Sequence, residues 1–352
     1  MSKAYQPNLK INTFAIMSQK FNFVIIGCGH IGKRHAAKVA SNPEANLVAL
    51  VDIKPHEELG LESYDVPFFN SIEELIASGI DFDIANICTP NGLHAKHSIE
   101  MLKHKKHVVC EKPMGLSRAE CMAMIKQAEE VDKHIFCVMQ NRYSPPSVWI
   151  KDVLKKGILG EIYMVQINCY WNRDERYYTG KNWHGTKELD GGTLFTQFSH
   201  FIDMMVWLFG DIYNIQARFA DFNHQTLTEF EDSGNVSFDF VNGGMGNFNY
   251  STSVAHQNLE SSLTIIAEKG SVKIGGQYMD KVEVCDIKNY EMPTLETTSP
   301  GNDYGAYKGS AANHHFVIQN VIDTLHGKDS ATTNALEGLK VVDVIERIYA
   351  LK

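Results

Sequence analysis

The chain has 352 residues, of which 44% are hydrophobic and 21% charged, a composition typical of a folded soluble protein with room for two domains. Its net charge of −9 disfavours nucleic acid or an anionic membrane as a partner, so an anionic ligand would need a local cluster of cations. No apolar stretch approaches the length of a membrane span. The seven cysteines form no C-x-x-C pair, and several lie in apolar runs, which favours buried thiols in a reducing compartment.

Residues 1–20 are predicted to form an N-terminal arm. They are polar and mixed, without the apolar core or the small-residue cleavage site of a secretory signal. Met17 offers a second start site. We therefore expect a cytoplasmic protein whose first domain begins at Phe21.

Residues 21–142 alternate short apolar runs with amphipathic stretches. This alternation predicts an α/β fold, a doubly wound parallel sheet of the Rossmann type with helices on both faces. A capping box, Ser117 to Glu120, predicts the start of one helix, and Pro145-Pro146 ends the pattern. The predicted strands are Asn22–Ile26, Leu47–Val51, Ile84–Cys88, His107–Cys110 and Ile135–Met139.

The first strand runs directly into a G-x-G-x-x-G turn. Gly27 permits the tight turn, Gly29 lets the backbone approach a pyrophosphate, and Gly32 lets the following helix pack closely on the strand. His30 and Ile31 lie between these glycines, where the N–H groups at the start of the helix would meet the anion. The turn therefore predicts a dinucleotide site.

Asp52 ends the second predicted strand, twenty positions after Gly32. Its carboxylate can accept hydrogen bonds from both ribose hydroxyls of adenosine and would repel a 2′-phosphate. We therefore predict NAD as the cofactor, although Lys54, two residues further on, could instead meet the phosphate of NADP.

Residues 143–352 change character and predict an α+β domain with a large, open, mostly antiparallel sheet. Asn242-Gly243-Gly244 and Lys269-Gly270 are hairpin turn signals. One continuous helix is predicted over Thr193–Phe209. We expect this domain to bind substrate on one side of the sheet and to form the oligomer with the other. The predicted strands are Glu161–Trp171, Ile212–Asp221, Asn235–Phe240, Met245–Ser253, Ser261–Ala267, Ser271–Ile274 and Lys281–Ile287, and the last helices are His314–His326 and Ala335–Tyr349.

A dinucleotide site implies hydride transfer, which needs a group that moves the proton of an alcohol. Glu111-Lys112-Pro113 follows the strand His107–Cys110, at the end where ligands bind in a parallel sheet. Lys112 can hydrogen-bond the reacting oxygen, and burial could lower its pKa toward a useful range. Elsewhere in a chain such a lysine would more often be a surface residue, but its position here favours catalysis.

Four stretches of the chain resemble the Gfo/Idh/MocA sugar oxidoreductases, and the resemblance runs from Phe21 onward. It implies a Rossmann domain, a C-terminal α/β domain with an open sheet, and homodimers or homotetramers. The stretches are Gly27–Gly32, Cys88-Thr-Pro-Asn-Gly-Leu-His94, Glu111-Lys-Pro113 and Gly191-Gly192…Ser199-His200-Phe-Ile-Asp203.

The resemblance also implies roles for individual residues. Lys112 would be the catalytic lysine and His200 a second acid or base beside the substrate. Glu111 would lie close to the cofactor ribose. Without the resemblance, His200 reads as a helix histidine packed beside Trp207. The remaining residues implied for the cofactor site are Thr89, Pro90, Asn91, His94 and Gln140.

The chain departs from the family at Thr196. Many members carry an aspartate four residues before the histidine, on the same helical face. A threonine can bind a hydroxyl or a water molecule but cannot act as a carboxylate. We therefore predict proton transfer by Lys112 and His200, with Thr196 positioning the substrate.

Further stretches resemble the bacterial UDP-N-acetylglucosaminuronic acid 3-dehydrogenases, the WlbA/WbpB-type enzymes. The resemblance implies NAD-dependent oxidation of the C3 hydroxyl of a UDP-linked N-acetylated uronic acid, in the synthesis of lipopolysaccharide and other surface-polysaccharide sugars. In such enzymes 2-oxoglutarate can reoxidise the bound cofactor. The stretches are Val138-Met-Gln-Asn-Arg142, Tyr170-Trp-Asn-Arg173…Tyr177-Tyr178…Trp183-His-Gly185 and Leu189-Asp-Gly-Gly192…Gln197-Phe-Ser-His200.

An anionic nucleotide sugar needs cations and aromatic surfaces, and the same region offers both. Arginine suits carboxylate and phosphate because its N–H groups bond them in pairs. The aromatic side chains could stack on a sugar or uracil ring, or could instead pack a sheet edge or an interface. The candidate cations are Arg142, Arg173, Arg176 and Lys181. The candidate rings are Trp171, Tyr177, Tyr178 and Trp183.

Two other functions remain open from the sequence. A dehydrogenase of a free sugar or a cyclitol such as inositol would leave these cations without a role. A non-catalytic sensor of dinucleotide or nucleotide sugar would need neither Lys112 nor His200. No metal is expected, because the fifteen histidines show no paired ligand spacing.

Overall fold

The computed structural model describes residues 20–180, 183–303, 305 and 307–352. Its first part alternates strands and helices as predicted. The elements are β1 (Phe21–Ile26), α1 (His30–Ala40), β2 (Ala45–Val51), β3 (Phe68–Phe69), α2 (Ile72–Ala77), β4 (Ile84–Ile87), α3 (His94–Lys103), β5 (His107–Cys110), α4 (Arg118–Glu130) and β6 (Ile135–Cys137).

These six strands form one parallel sheet in the order β3-β2-β1-β4-β5-β6. The chain fills one side of β1 first and then crosses to β4 on the other side, so a crevice opens at the carboxyl ends of β1 and β4. The predicted Rossmann fold is confirmed. The capping box of Ser117 and Glu120 is also present at the start of α4.

The second part of the chain contains a larger sheet with helices on one face. Its elements are α5 (Pro145–Lys155), β7 (Ile162–Tyr170), α6 (Glu175–Tyr178), α7 (Thr193–Thr196), α8 (Ser199–Phe209), β8 (Ile212–Ala220), β9 (Ser233–Phe240), β10 (Met245–Ser251), β11 (Glu260–Ala267), β12 (Gly270–Gly275), β13 (Lys281–Ile287), β14 (Gly301–Asp303), β15 (Lys308–Ala311), α9 (His314–Leu325) and α10 (Ala335–Tyr349).

The seven strands of this sheet follow the order β13-β12-β11-β7-β10-β9-β8. Neighbours are antiparallel except β7 and β10, which pair in parallel. The helices between β7 and β8 allow the β8–β10 meander to return beside β7 in the same direction. The sheet is therefore mixed and mostly antiparallel, as the sequence predicts.

The single helix predicted over Thr193–Phe209 is wrong, because the chain forms α7 and α8 with a break at Gln197 and Phe198. Within the break, the N–H of Phe198 donates to Thr193 O, five residues back. This wide turn leaves the carbonyl of Thr196 outside both helical ladders. Such a carbonyl needs another donor, since a buried backbone acceptor is rarely left unpaired.

The C-terminal helices return to the Rossmann sheet. Helix α9 packs on α1, and its Val317 and Ile318 share a core with Phe23 and Ile25 of β1. Helix α10 packs on α4 and α8 and so lies between the two sheets. The domain limits of 21–142 and 143–352 stay a prediction. All seven cysteines are unpaired thiols, and all but Cys285 are buried.

A buried ion pair joins the turn after β6 to helix α8. The guanidinium of Arg142 donates to both oxygens of Asp203, with Nε lying 2.9 Å from Oδ2, and its Nη2 lies 3.0 Å from Glu337 Oε2. The side chains of Arg142 and Asp203 are 2% and 0% exposed. Burial alone would lower the pKa of Arg142, but the two carboxylates raise it. Within the described ranges, no helix is long and apolar enough to cross a membrane.

We predict that Asp203→Asn lowers the free energy of unfolding by about 3 kcal/mol, because it removes one partner of a buried pair and weakens the compensation of the other charge. Urea denaturation followed by circular dichroism measures the change. The matched control is Asp152→Asn, which breaks the exposed Asp152–Lys156 pair and should change stability little. Equal effects of the two substitutions would contradict a structural role for the buried pair.

Candidate active site

The glycine turn after β1 has the geometry of an anion-binding loop. Gly27 has φ +90°, and a Cβ there would lie 2.7 Å from the carbonyl carbon of Cys88. A Cβ on Gly32 would overlap the carbonyl oxygen of Gly27. By contrast, a Cβ on Gly29 would meet nothing within 4 Å, so this side of the loop faces open space. Gly29 also gives α1 no side-chain cap, and the positive end of a helix dipole attracts an anion.

The first two residues of α1 and the acid after β2 lie where the sequence analysis predicted. His30 is exposed and Ile31 half-buried at the start of the helix. Asp52 Oδ2 accepts from the N–H of Cys28 at 2.6 Å, and Oδ1 accepts from the N–H of Lys54 at 2.9 Å. The carboxylate of Asp52 is thus fixed beside the glycine turn and only half-buried, so a ribose could reach it.

The loop after β4 uses its polar side chains to bond neighbouring parts of the chain. His94 contacts two carbonyl oxygens, Pro113 O at 2.7 Å and Thr89 O at 2.8 Å. Burial lowers the pKa of His94. The amide of Asn91 donates to Asp190 O at 2.9 Å and Thr196 Oγ1 at 2.6 Å. His94 and Asn91 therefore hold the walls of the cleft, whereas Thr89 and Pro90 are half-buried.

Glu111 lies at the carboxyl end of β5 in a buried network that the sequence analysis missed. Its Oε1 accepts from His35 Nε2 at 2.8 Å and lies 3.5 Å from His314 Nε2. Burial alone would raise the pKa of Glu111, but hydrogen bonds from His314 and His35 lower it well below its ordinary value. Asn86 Nδ2 lies 2.9 Å from His35 Nδ1, so a neutral His35 carries its proton on Nε2 and donates to Glu111. Glu111 is thus held as a carboxylate.

Lys112 reaches across the cleft to the other domain. Its Nζ donates to the carbonyl of Thr196 at 2.6 Å, the carbonyl that the break between α7 and α8 leaves outside the helical ladders. Burial lowers the pKa of Lys112, Arg173 lowers it further, and the charges of Glu111 and Asp190 raise it. The Lys112–Pro113 peptide bond is cis. The amine therefore lies among two anions and one cation, half-buried and tied to the wall that carries His200.

His200 lies in the first turn of α8, one turn after Thr196. Gln140 Nε2 lies 3.3 Å from His200 Nε2, and an amide N–H can only donate, so a neutral His200 carries its proton on Nδ1. Burial, followed by the charge of Lys112, lowers the pKa of His200 well below its ordinary value. Among the described residues, His200 Nδ1 and Gln140 Oε1 have no hydrogen-bond partner. These two buried polar atoms are available to a ligand.

Asp190 is a buried carboxylate in this cleft that the sequence analysis did not single out. It is 1% exposed, its Oδ1 contacts the hydroxyl of Thr196, and its Oδ2 accepts from the N–H of Gly185 at 2.7 Å. Burial raises the pKa of Asp190 to about 6. The residue stands in Leu189-Asp-Gly-Gly192, so a carboxylate directly before a glycine pair was the signal available in the sequence.

Arg173 is 2% exposed and makes no ion pair within the described ranges. Its guanidinium donates to four neutral oxygens, which are Gln197 Oε1 at 2.7 Å, Asn172 O at 2.6 Å, Asn258 Oδ1 at 3.3 Å and Lys308 O at 3.1 Å. One of its five N–H groups is left. Burial lowers the pKa of Arg173. The guanidinium carbon also lies 4.8 to 5.1 Å from the ring centres of Trp171, Tyr177 and Tyr307.

The aromatic candidates around Arg173 differ in their surroundings. Trp171 is core, since it packs on Phe198 and Phe201 and its Nε1 donates to Ser261. The ring of Tyr177 stacks on His184 at 4.4 Å, and Tyr178 is buried beside it. Trp183 is half-buried and meets the same histidine edge-on. Most of these rings therefore pack the wall behind Arg173, as the alternative interpretation allowed.

The other candidate cations do not join Arg173. Arg142 binds Asp203 and Glu337 in the buried ion pair, so it is not kept as a substrate residue. Arg176 is exposed and paired with Asp174. Lys181 lies outside the described residues. Arg173 is the candidate cation that lies close enough to Lys112 for their charges to interact.

Two buried groups contain the residue types that bind metals. They are His35, Glu111 and His314, and Asp221, His224 and Asp232. Both are linked by internal hydrogen bonds, because His35 and His224 each contact the carboxylate of their own group. His224 Nε2 also contacts Arg173 O, which places the second group behind the arginine. Both groups therefore have a hydrogen-bonding role in the structure.

Comparison with known proteins agrees with this geometry. Residues 21–139 match the profile of the Gfo/Idh/MocA oxidoreductase family with an NAD-binding Rossmann fold, and residues 148–273 match the GFO/IDH/MocA C-terminal domain. The WlbA dehydrogenase of Bordetella pertussis, solved with NADH and UDP-GlcNAcA, is 30% identical, with a TM-score of 0.83 over 95% of this chain and 96% of that one.

Two further proteins show the range of similarity. The WlbA dehydrogenase of Chromobacterium violaceum, also solved with NADH and UDP-GlcNAcA, is 31% identical, with a TM-score of 0.83 over 96% of this chain and 94% of that one. The D-glucoside 3-dehydrogenase of Escherichia coli (strain K12) is 22% identical over 95% of this chain and 96% of its own length. With two matching domain profiles and this site, the chain belongs to the Gfo/Idh/MocA family and is an NAD-dependent dehydrogenase that acts on a CH–OH group.

Proposed function

We propose that this protein oxidises the C3 hydroxyl of a UDP-linked N-acetylated uronic acid, a step in the synthesis of bacterial surface-polysaccharide sugars. The observation that carries the proposal is Arg173, a buried cation close to Lys112 that no described carboxylate neutralises. A buried charge without a counter-ion is costly, and an anionic ligand relieves that cost. The similarity to WlbA dehydrogenases solved with UDP-GlcNAcA supports a uronate as that anion.

The cofactor would lie along the carboxyl edge of the parallel sheet. The open side of Gly29, at the start of α1 where His30 and Ile31 lie, suits the pyrophosphate. Asp52 suits the adenosine ribose, and the carboxylate of Glu111 suits the ribose near the nicotinamide. When bound, the nicotinamide ring accepts the hydride that leaves the sugar carbon. The other residues proposed for this site are Gly27, Gly32, Thr89, Pro90 and Gln140, with Asn91 and His94 holding its walls.

Proton transfer would be the work of Lys112 and His200. In its neutral form the amine of Lys112 accepts the proton of the C3 hydroxyl as the C–H bond breaks, and the alcohol becomes a ketone. The Nδ1–H of neutral His200 can donate to the same oxygen and hold it in place. Because Lys112 must be neutral to accept a proton, the lowered pKa of its amine extends the reaction toward lower pH.

The substrate side of the cleft would be held by Arg173 and the residues around it. A carboxylate can accept from the remaining N–H of Arg173 in a charge-assisted hydrogen bond. Tyr177 and Trp183 form the aromatic wall beside the arginine, with Trp171 as its core support. Thr196 would keep Lys112 in place through its carbonyl. A free sugar or cyclitol, the other enzyme substrate considered, would leave Arg173 without a counter-ion.

The direct test is incubation of the protein with UDP-N-acetylglucosaminuronic acid, NAD and 2-oxoglutarate. We expect the nucleotide sugar to lose two hydrogen atoms by mass spectrometry while NADH or 2-hydroxyglutarate appears. Reduction of NAD by uncharged polyols, with the nucleotide sugar unchanged, would overturn the substrate assignment but keep the family chemistry. Tight binding of NAD and nucleotide sugar without turnover of any tested sugar would indicate a sensor.

Lys112→Met is expected to lower the turnover rate by roughly two to four orders of magnitude, the usual contribution of a general base. NAD binding should persist, because the glycine turn and Asp52 are untouched. Stopped-flow measurement of NADH formation and fluorescence titration of NADH binding give the two quantities. Near-normal turnover in this variant would rule out Lys112 as the proton acceptor.

Arg173→Met is expected to lower kcat/KM for the uronate by roughly 10- to 100-fold, since it removes a hydrogen bond to a charged group. The matched control is Arg176→Gln, which changes the neighbouring exposed cation and should have little effect. Arg173→Lys, which keeps the charge, should lie between them. If thermal unfolding shows all three variants folded and their kcat/KM values match the wild type, Arg173 is not the anion-binding residue.

A further inference from the structure

Asp190 is a buried carboxylate that the proposed mechanism leaves without a role. It stands in the turn before α7, and both of its carboxylate oxygens have partners. Oδ1 contacts the hydroxyl of Thr196 and Oδ2 accepts from the N–H of Gly185 at 2.7 Å. A buried carboxylate in a catalytic cleft is costly unless its charge is used or compensated.

The turn that carries Asp190 is locked against the cofactor loop. The N–H of Gly92 donates to Leu189 O at 3.0 Å. A Cβ on Gly92 would lie 3.1 Å from Leu189 Cα and would overlap the carbonyl of Glu188. The amide of Asn91 then bonds Asp190 O and Thr196 Oγ1 together. The carboxylate therefore has a fixed position relative to the cofactor loop.

Thr196 joins this carboxylate to Lys112. Its carbonyl accepts from Lys112 Nζ at 2.6 Å, and its hydroxyl contacts Asp190. Asn91 already donates to the hydroxyl oxygen, so the one proton of the hydroxyl is left to donate to Asp190. A single residue thus connects the acid on one side with the amine on the other.

The charges that face the two groups define their balance. Lys112 is faced by the anions Glu111 and Asp190 and by the cation Arg173, with the buried histidines His94 and His200 beside them. The charged groups that face Asp190 are Lys112 and Glu231. Tyr177 and Tyr178 also interact electrostatically with Asp190. Glu111 is already bonded by His35 and lies 3.5 Å from His314. Of the two anions, Asp190 is therefore the one that is connected to Lys112 through Thr196, a residue of the substrate wall.

We propose that Asp190 is a positioning residue that sets the pH range in which Lys112 can accept a proton. The charge of Asp190 acts on the amine of Lys112. Asp190 also holds Thr196 in place, and the carbonyl of Thr196 accepts the hydrogen bond of that amine. The proposal rests on the function proposed above, because it takes Lys112 as the proton acceptor. This chain has Thr196 at the helix position where many related enzymes carry an aspartate. The turn before α7 thus supplies a carboxylate from a different place in the chain.

The test is the pH dependence of kcat/KM in Asp190→Asn. An ionised Asp190 stabilises the protonated amine, so its removal makes Lys112 lose its proton at lower pH. The acid limb of the profile should move to lower pH by about 1 unit. Asp190→Asn with Thr196→Asp, which returns a carboxylate to the helix, should move the limb back. Asp174→Asn, which removes an exposed carboxylate paired with Arg176, is the control and should leave the limb in place.

A second readout needs no substrate. Competitive acetylation of the protein with acetic anhydride over a range of pH, followed by peptide mass spectrometry, reports the protonation of Lys112 directly. The midpoint should fall in Asp190→Asn, and in Asp190→Ser if the asparagine variant does not fold. A uniform loss of rate with unmoved limb and midpoint would overturn the proposal. If the wild type does not oxidise the nucleotide sugar, the proposed function fails, and the labelling midpoint still decides the role of Asp190.

Discussion

The hydrogen bond from Lys112 Nζ to the carbonyl of Thr196 is the interaction on which the arrangement of this cleft depends. It exists because the chain breaks its helix at Gln197 and Phe198, which leaves that carbonyl without a helical donor. Wide turns of this kind inside helices are often found at functional sites. The bond holds the reactive amine, which comes from the edge of the parallel sheet, against the wall formed by the second domain. Lys112 and His200 therefore face the same space.

Around this bond lie several buried charged side chains, whose charges water would screen at the protein surface. Glu111 is held ionised by histidines from α1 and α9, and Asp190 is held by an N–H group and a hydroxyl. Among the described residues, Arg173 donates only to neutral oxygens. In a site with little water, each of these charges acts more strongly on the amine than it would at the surface. The ion pair of Arg142 and Asp203 joins the turn that carries Gln140 to the helix that carries His200.

The sequence predicted the parts of the fold and site that depend on local pattern. The glycine turn, Asp52 and the position of Lys112 follow from short runs whose geometry is set within a few residues. The break at Gln197 could not be predicted, because the stretch around it has continuous helical pattern and the break is stabilised by packing and by Lys112, 84 positions away.

The same dependence on residues far apart in sequence explains why the contacts of some side chains could not be predicted. Arg142 is used by Asp203 and Glu337, which lie 61 and 195 positions away in sequence, so no local pattern could show that it was already paired. Asn91, which was predicted beside the nicotinamide, bonds the turn of Asp190, 99 positions away. The uncompensated charge of Arg173 has a consequence for the reaction itself. Its field favours the neutral form of Lys112. The carboxylate of the proposed uronate, on pairing with Arg173, would cancel part of that field and raise the pKa of the amine. Binding of that sugar would then draw protons from the solvent at a pH close to the pKa of Lys112.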